Sequence, residues 1–179
     1  KTYRESYDKP IRAWCEQNHL IYTGEKPHLR LEQCSYMAMA GTDNGHVKCG
    51  RAPTMFPSHY RANARAVASS NHFCADNVTL CEAYHSLGWD VTLRDMRWIV
   101  DWLGVDGVNL FVPHAFYYSE DALRKHDAPP SMFENMPWWR YNTLYTRHIE
   151  TTTAVTQYGK RRAPVLVLDP MFCAFGKRG

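Results

Sequence analysis

The amino-acid sequence predicts an α/β fold built around a parallel sheet. Helix-like segments and short apolar strands alternate along the 179 residues and give about four strand–helix units. The strands are nearly continuous apolar runs, which is typical of parallel strands buried on both faces. Polar or acidic residues follow the strand ends, where parallel α/β folds gather their functional groups. This pattern fits a (β/α) barrel and an open doubly wound sheet equally well.

The first half of the chain is predicted to contain two helices, two strands and a long loop. Tyr7, Ile11 and Trp14 recur at helical spacing, which predicts a helix over residues 3 to 17. The run HLIYTGE predicts a strand over residues 19 to 25, and residues 26 to 57 lack periodicity and predict a loop. An alanine-rich helix over residues 58 to 73 and the strand NVTLCEA follow.

The second half repeats this alternation twice. The segment LRDMRWIVDWL is the clearest amphipathic helix, and the nearby aspartates predict its capping near Thr92. GVNLFVPH predicts a third strand, residues 114 to 137 a second loop, and residues 138 to about 155 a helix that ends by Gly159. The run APVLVLDP, residues 163 to 170, predicts a fourth strand.

The composition and the absence of known motifs argue against several classes of function. Hydrophobic residues make up 45% and charged residues 22%, which predicts a packed fold rather than disorder. The net charge is +3 and the one tight basic run, residues 160 to 162, is short, so nucleic acid is not expected as a partner. No membrane partner is expected, because no stretch approaches the roughly 20 apolar residues needed to cross a bilayer. The six cysteines form no CxxC pair and are expected to be reduced and mostly buried. GxGxxG, GxxxxGK[ST], GxSxG and HExxH are all absent, which gives no support to a nucleotide-binding protein, a serine esterase or a zincin; no cofactor is expected.

Two glutamates are the candidate catalytic residues. Glu82 directly follows an apolar strand, where partial burial would raise its pKa as a general acid requires. Glu25 ends the preceding predicted strand, so the two carboxylates would face one cleft if those strands were neighbours. For Glu25, a surface salt bridge to Lys26 or Arg30 is an equally good interpretation.

Polar and aromatic side chains near the other strand ends are candidates for sugar binding. Rings offer flat stacking surfaces, and imidazole, amide and phenol groups form hydrogen bonds to hydroxyls. Of the two adjacent tryptophans in this set, one ring is expected to contact sugar and the other to hold the loop. The candidates are His114, Asn109, Tyr117, Tyr118, Trp89, Trp138 and Trp139.

Four motifs taken together resemble a known family. TGE, CEAYHSLGWDVT, DWLGVDGVNLFVPHAFYYS and HDAPPSMFENMPWW occur in that order, and the succession resembles large bacterial glycoside hydrolases of the α-L-rhamnosidase-like type and their (β/α)8-barrel relatives. The resemblance implies that Glu82 is a catalytic acid or base, and it extends less closely to Glu25. It also implies that Asn109 and His114 line the cleft.

The resemblance further implies a partial TIM-type (β/α) barrel in which residues 1 to 179 form a single incomplete catalytic domain. Complete barrels need about 250 residues. The expected partners are therefore a carbohydrate substrate and, in a longer chain, the remaining barrel and β-sandwich domains.

The sequence thus predicts a glycoside hydrolase that cleaves O-glycosyl bonds with a strand-end Glu as general acid or base. One alternative is a noncatalytic carbohydrate-binding or structural fragment of such an enzyme. A second alternative is a metal-dependent hydrolase with His114, Asp169 and a carboxylate as ligands; the preferred hypothesis includes no metal.

Overall fold

The computed structural model describes residues 3–25, 34–43, 58–74, 78–159 and 162–167. Side chains of the helix that begins at residue 58 are described from residue 64 to residue 73. Within these ranges, helices alternate with the strands of one parallel sheet, which confirms the predicted α/β class.

The sheet contains four strands in the described residues, and their spatial order follows the chain order. All three strand pairs are parallel. The strands are β1 (Thr23–Glu25), β2 (Met39–Asp43), β3 (Leu80–Ala83) and β4 (Leu110–Pro113). The helices are α1 (Lys9–Gln17), which continues a π-helical segment over Arg4–Asp8, and α2 (Ser58–Cys74), α3 (Leu93–Asp106) and α4 (Asn142–Tyr158). This arrangement is that of a partial α/β barrel.

Two of the predicted elements were wrong. The predicted loop over residues 26 to 57 contains β2, whose small residues Ala40 and Gly41 give a weak strand signal. The predicted fourth strand does not form over residues 163 to 167, which are exposed and adopt no regular structure. The number of strands is therefore as predicted, but one of the four is a different segment.

The two faces of the sheet differ in chemistry because side chains alternate along each strand. The strand register puts Glu25, Asp43 and Glu82 on one face, which we call the acid face. The opposite face carries Ala40, Thr42, Cys81 and Ala83, all with at most 1% of their surface exposed. Helices α2 and α3 cover this second face, and the acid face is left for the functional site.

Helix α3 provides most of the apolar contacts with the sheet. Met96, Ile99, Val100 and Leu103 form its buried stripe and pack with Cys81 and Ala83 of β3. The helix begins with a capping box in which Thr92 Oγ1 accepts from Asp95 N and an Asp95 oxygen accepts from Thr92 N. The predicted capping near Thr92 is confirmed.

Helix α4 packs against α3 at a position without a side chain. A Cβ at Gly104 would lie 2.9 Å from Thr152 Cγ2, so glycine is what allows this close approach. The neighbouring threonines Thr151 and Thr153 donate hydrogen bonds to backbone carbonyls four residues earlier, which satisfies their hydroxyls inside the helix.

Two further expectations concern cysteines and membranes. Cys15, Cys34 and Cys81 are buried and form no disulfide, as expected for reduced thiols. Cys49 and Cys173, and the side chain of Cys74, lie outside the described part of the chain. Among the described helices, none combines the length and the apolar character needed to cross a bilayer.

Candidate active site

Three carboxylates meet at the carboxyl-terminal edge of the sheet. Glu25 is the last residue of β1, Asp43 is the last of β2, and Glu82 lies in β3 directly opposite Asp43. Glu25 lies opposite Gly41, so no side chain of β2 stands between Glu25 and β3 at that level. The sequence motifs TGE, GTD and LCE therefore deliver their acids to one place.

The side chains of Glu25 and Glu82 approach each other across β2, closely enough that hydrogen bonding to Glu82 is one of the causes that raise the pKa of Glu25. Two carboxyl groups can bond in this way only when one of them holds a proton. Burial, the hydrogen bond to Glu82, and the negative charges of Glu82 and Asp43 together raise the pKa of Glu25 to about 8. Near neutral pH Glu25 therefore holds a proton.

Two histidines extend this cluster. His85 follows β3, and its Nδ1 lies 3.8 Å from Asp43 Oδ2. The His85 and His114 rings are in edge contact, with their centroids 4.7 Å apart. Burial and the neighbouring His85 lower the pKa of His114 against the opposing effect of Glu82 and Asp43. His114 Nδ1 is buried and has no hydrogen-bond partner among the described residues.

A cleft of about 460 Å³ opens beside the two histidines. Its volume lies within the usual range for small-molecule sites, roughly 300–1,000 Å³. The lining residues come from the turn after β3 and the loop after β4: His85, His114, Phe116, Tyr117, Tyr118, Ser119, Arg124, Asp127 and Ala128. Because His85 and His114 belong to both features, the cleft and the carboxylate cluster form one continuous site.

Tyr117 and Tyr118 both line this cleft, but the Tyr117 side chain is held by hydrogen bonds and the Tyr118 side chain is exposed. The Tyr117 hydroxyl donates to the carbonyls of Asp127 and Ala128 at 2.6 and 2.9 Å, and its ring contacts His114 edge-on. Burial, followed by the charges of Asp127 and Glu120, raises the pKa of Tyr117. The Tyr118 side chain is fully exposed. Tyr117 thus fixes the wall of the cleft, and Tyr118 is available to a ligand.

The three candidate tryptophans lie around the cleft rather than in its lining. Trp89 Nε1 donates to the carbonyl of Lys125 at 2.7 Å and ties the turn after β3 to the cleft loop. Trp138 Nε1 donates to the carbonyl of Val91, and the ring packs against the core. Trp139 contacts Phe133 and the cleft residue Phe116, with ring centroids 5.3 and 6.0 Å away.

Asn109 lies away from this site. It precedes β4, and its side-chain carbonyl accepts a hydrogen bond from Thr79 N at 2.8 Å, on the amino-terminal edge of the sheet. The sequence analysis assigned it to the cleft; the structure gives it a contact between strand beginnings instead. The physical reason is that β4 begins at Leu110, one residue after it.

Sequence reasoning missed two members of the cluster, Asp43 and His85. Asp43 fell inside the predicted loop, although the run YMAMAGTD has the same order of apolar residues followed by an acid as TLCE. His85 was noticed only as an unusual residue in the turn after Glu82. Its side chain lines the cleft, which a linear sequence does not reveal.

The described residues give no additional support for the metal-dependent alternative. Over the residues that the structure describes, no group of three or more His, Cys, Asp or Glu side chains could hold a metal ion. Asp169, one of the ligands in the metal-dependent alternative, lies outside those residues.

Comparisons with known proteins bear on the fold. No protein-family model matches the chain, and no curated protein matches its sequence. Among solved structures, the rhamnosidase from Novosphingobium sp. PP1Y superposes with a TM-score of 0.68 at 17% sequence identity. The chain shares its fold with part of that rhamnosidase. The match covers 84% of this chain and 15% of the rhamnosidase, so the chain spans a small part of that protein's length.

Proposed function

We propose that the chain carries the catalytic site of a glycoside hydrolase that cleaves O-glycosyl bonds. The observation that carries this proposal is the meeting of Glu25 and Glu82 on one face of the sheet at the carboxyl-terminal strand edge, beside a cleft lined by aromatic rings. A pair of carboxyl groups, one protonated and one charged, is what most glycosidases use to break the bond between two sugars.

The two glutamates take different roles in this proposal. Because the pKa of Glu25 is raised to about 8, we assign the role of proton donor to Glu25. Glu25 donates this proton to the glycosidic oxygen as its bond to the anomeric carbon breaks. The negative charge of Glu82 then stabilises the positive charge that develops on the sugar ring. The sequence analysis gave the role of general acid to Glu82. Because Glu25 holds the proton, the proposal assigns that role to Glu25 and the charge-stabilising role to Glu82.

The cleft supports a carbohydrate as the substrate. Phe116 and Tyr118 present exposed rings, and the Asp127 and Arg124 side chains supply an acceptor and a donor for hydroxyl groups. The fold similarity to a rhamnosidase makes an aryl rhamnoside the first substrate to test. We propose further that residues 1 to 179 form one incomplete barrel domain, completed in a longer protein by further barrel strands and by β-sandwich domains.

The central test is the loss of hydrolysis on removal of each carboxylate. Glu25→Gln and Glu82→Gln should each lower the kcat for aryl rhamnoside hydrolysis at least 10²-fold, the low end of the usual effect of about 10²–10⁴. Glu150→Gln, which changes an exposed acid on α4, is the matched control and should keep parental turnover. Undiminished turnover in both site variants would contradict the proposal.

The alternative of a noncatalytic sugar-binding fragment rests on the same cleft, because exposed rings bind sugar faces without cleaving anything. Tryptophan fluorescence during titration with rhamnose separates the two functions, since Trp139 contacts the cleft residue Phe116. Saturable binding by a parent chain that releases no product would favour the alternative.

A further inference from the structure

The loop after β4 presents two side chains of opposite charge to the cleft. Arg124 and Asp127 both line it, and Arg124 belongs to a short 3₁₀ helix over Ala122–Lys125. The turn continues past this helix, because the backbone N–H of Asp127 donates to the carbonyls of Leu123 and Arg124. Residues three apart in such a turn lie on the same side of it. Arg124 and Asp127 therefore extend from one side of the loop into one cleft.

The two charged side chains do not neutralise each other. Within the described part of the chain, neither the Arg124 guanidinium nor the Asp127 carboxylate forms a hydrogen bond or an ion pair. Both residues are exposed, and both line the open volume of the cleft. A guanidinium has only donors, and an ionised carboxylate has only acceptors. This hydrogen-bonding capacity is available to a ligand in the cleft.

Two aromatic side chains hold the backbone of this loop in place. Trp89, in the turn after β3, donates from Nε1 to the carbonyl of Lys125 at 2.7 Å. The Tyr117 hydroxyl donates to the carbonyls of Asp127 and Ala128 at 2.6 and 2.9 Å. The carbonyls that accept these bonds belong to the charged residues or to their neighbours. The bonds therefore determine where the two charged side chains lie.

The same segment contains two residues in an unusual backbone conformation. Ala122 and Ala128 have positive φ angles of 56° and 52°, a region that residues other than glycine rarely adopt. Ala122 begins the 3₁₀ helix, and Ala128 directly follows Asp127. Such conformations persist where the surrounding structure enforces them, and they cluster at active sites and ligand-binding segments. The strain thus lies at the two ends of the segment that carries both charges.

The balance of charges in the loop favours a neutral ligand. An anion or a cation would be attracted by one of the two side chains and repelled by the other, and the carboxylates of the acid face add to the repulsion of an anion. A hydroxyl group both donates and accepts hydrogen bonds. Two neighbouring hydroxyls of a sugar therefore match one guanidinium and one carboxylate, whereas the charged group of a uronic acid or an amino sugar matches only one of them.

We propose that Arg124 and Asp127 determine specificity by binding two neighbouring hydroxyl groups of a neutral sugar. Trp89 and Tyr117 are the positioning residues of this pair, because they hold the loop backbone. The choice of a sugar as the ligand rests on the proposed hydrolase function. Arg124 donates to the oxygen of one hydroxyl, and Asp127 accepts from the other. The substrate class is a glycoside of a neutral sugar with two adjacent free hydroxyls.

The first experiment compares the two cleft charges with two loop neighbours of the same charge that do not line the cleft. Rhamnose binding is measured by NMR titration, and hydrolysis of an aryl rhamnoside by steady-state kinetics. Arg124→Met and Asp127→Ala should each weaken rhamnose binding and lower kcat/KM by about tenfold or more, because a hydrogen bond to a charged group is lost. Lys125→Met and Asp121→Ala are the controls and should keep both parental values.

Modified sugars test the hydroxyl pair directly. Among rhamnose analogues that each have one ring hydroxyl replaced by hydrogen, two adjacent ones should bind the parent chain more weakly than rhamnose does. One of them should lose little further affinity in Arg124→Met, and the other in Asp127→Ala, since the partner is already absent. Equal losses in the parent and in both variants, or tighter binding of galacturonate or glucosamine than of rhamnose, would overturn the assignment.

A matched pair of tryptophan variants tests the positioning role. Trp89→Phe removes the bond to the Lys125 carbonyl, and Trp138→Phe removes a similar bond to the Val91 carbonyl from a ring that packs against the core. Trp89→Phe should raise KM about two- to tenfold with kcat near the parental value, whereas Trp138→Phe should leave KM unchanged. Equal changes of KM in the two variants, or a parental KM in Trp89→Phe, would overturn this role.

The outcomes separate this inference from the proposed function. Parental binding and kcat/KM in both Arg124→Met and Asp127→Ala would overturn the inference, while inactive Glu25→Gln would still support the hydrolase. A parent chain that binds rhamnose through Arg124 and Asp127 but releases no product would support the inference and contradict the hydrolase. If the parent hydrolyses the glycoside without measurable rhamnose binding, kcat/KM of the variants decides in the same way. Neither binding nor turnover by the parent would overturn both.

Discussion

At the scale of single residues, Gly41 is what lets the two glutamates meet. It lies opposite Glu25 on β2, and a Cβ built there would be 2.7 Å from Leu80 Cδ2 and 3.1 Å from the carbonyl oxygen of Gly24. Any larger residue would therefore push against β1 and β3 at the level where Glu25 crosses toward Glu82. Gly41 has no reactive side chain, yet it controls how closely the Glu25 and Glu82 carboxyl groups approach each other.

Gly41→Ala should consequently disturb both the fold and the site. We expect a loss of about 1–3 kcal/mol of unfolding free energy from overpacking. We also expect the pKa of Glu25 to fall from about 8 toward its ordinary value as the carboxyl groups separate. Urea unfolding measures the first change, and NMR titration of the glutamate carboxyl carbons measures the second.

The matched control for this change is Gly24→Ala. At Gly24 a Cβ would make ordinary contact, 3.6 Å from Met37 Cε, so the stability and the Glu25 titration should stay near the parental values. If Gly41→Ala behaves like Gly24→Ala, the close approach across β2 does not control the glutamate pair.

Sequence reasoning pointed to some members of the candidate site and not to others for a physical reason. Glu25, Glu82 and His114 each follow a recognisable apolar strand, and a strand end is a position that a linear pattern can mark. Asp43 also ends a strand, but its strand was not recognised. Asn109 was predicted to lie inside the third strand and in the cleft, whereas it precedes β4, because an apolar run does not specify where hydrogen bonding to the next strand begins.

At the scale of elements, local signals determined what could be predicted. Helix α3 has a capping box, an apolar stripe and a final Gly107 in the left-handed conformation, all of which are encoded within its own residues. Strand β2 depends instead on its neighbours β1 and β3, since its small residues have little strand preference. Residues 163 to 167 show the converse: an apolar, β-branched run remains exposed where it pairs with no described strand.

The apolar stripe of α3 also predicts which face of this helix packs against the sheet. Leu103 is fully buried, whereas Val105, two residues later, is 77% exposed. Leu103→Ala should lower the free energy of unfolding by about 2–5 kcal/mol through lost apolar contacts and a residual cavity. Val105→Ala should change it by less than about 0.5 kcal/mol. Equal effects of the two substitutions in urea unfolding would contradict the assignment of the buried stripe.

At the scale of the whole molecule, parallel topology gathers groups that are far apart in sequence. Glu25, Asp43 and Glu82 lie in three strands and His114 directly follows the fourth, yet they share one edge because every strand runs in the same direction. The alternation of helices and strands was enough to predict that polar groups gather at this edge. The distances across it depend on strand order, and β1 and β3 are separated by a strand that the sequence analysis did not find.

The glutamate pair also ties the stability of the whole chain to pH. Glu25 has a pKa near 8 in the folded chain and an ordinary value of 4.5, so between these values the folded chain holds a proton that the unfolded chain releases. Stability linked to this proton is fully present below pH 4.5 and is lost as pH rises toward 8. In Glu25→Gln the side chain at this position does not titrate, so this pH-dependent contribution to the free energy of unfolding is absent. Urea unfolding across this pH range should show the parent losing stability relative to Glu25→Gln, while Glu150→Gln follows the parent. A parental curve parallel to that of Glu25→Gln would mean that folding does not raise the pKa of Glu25.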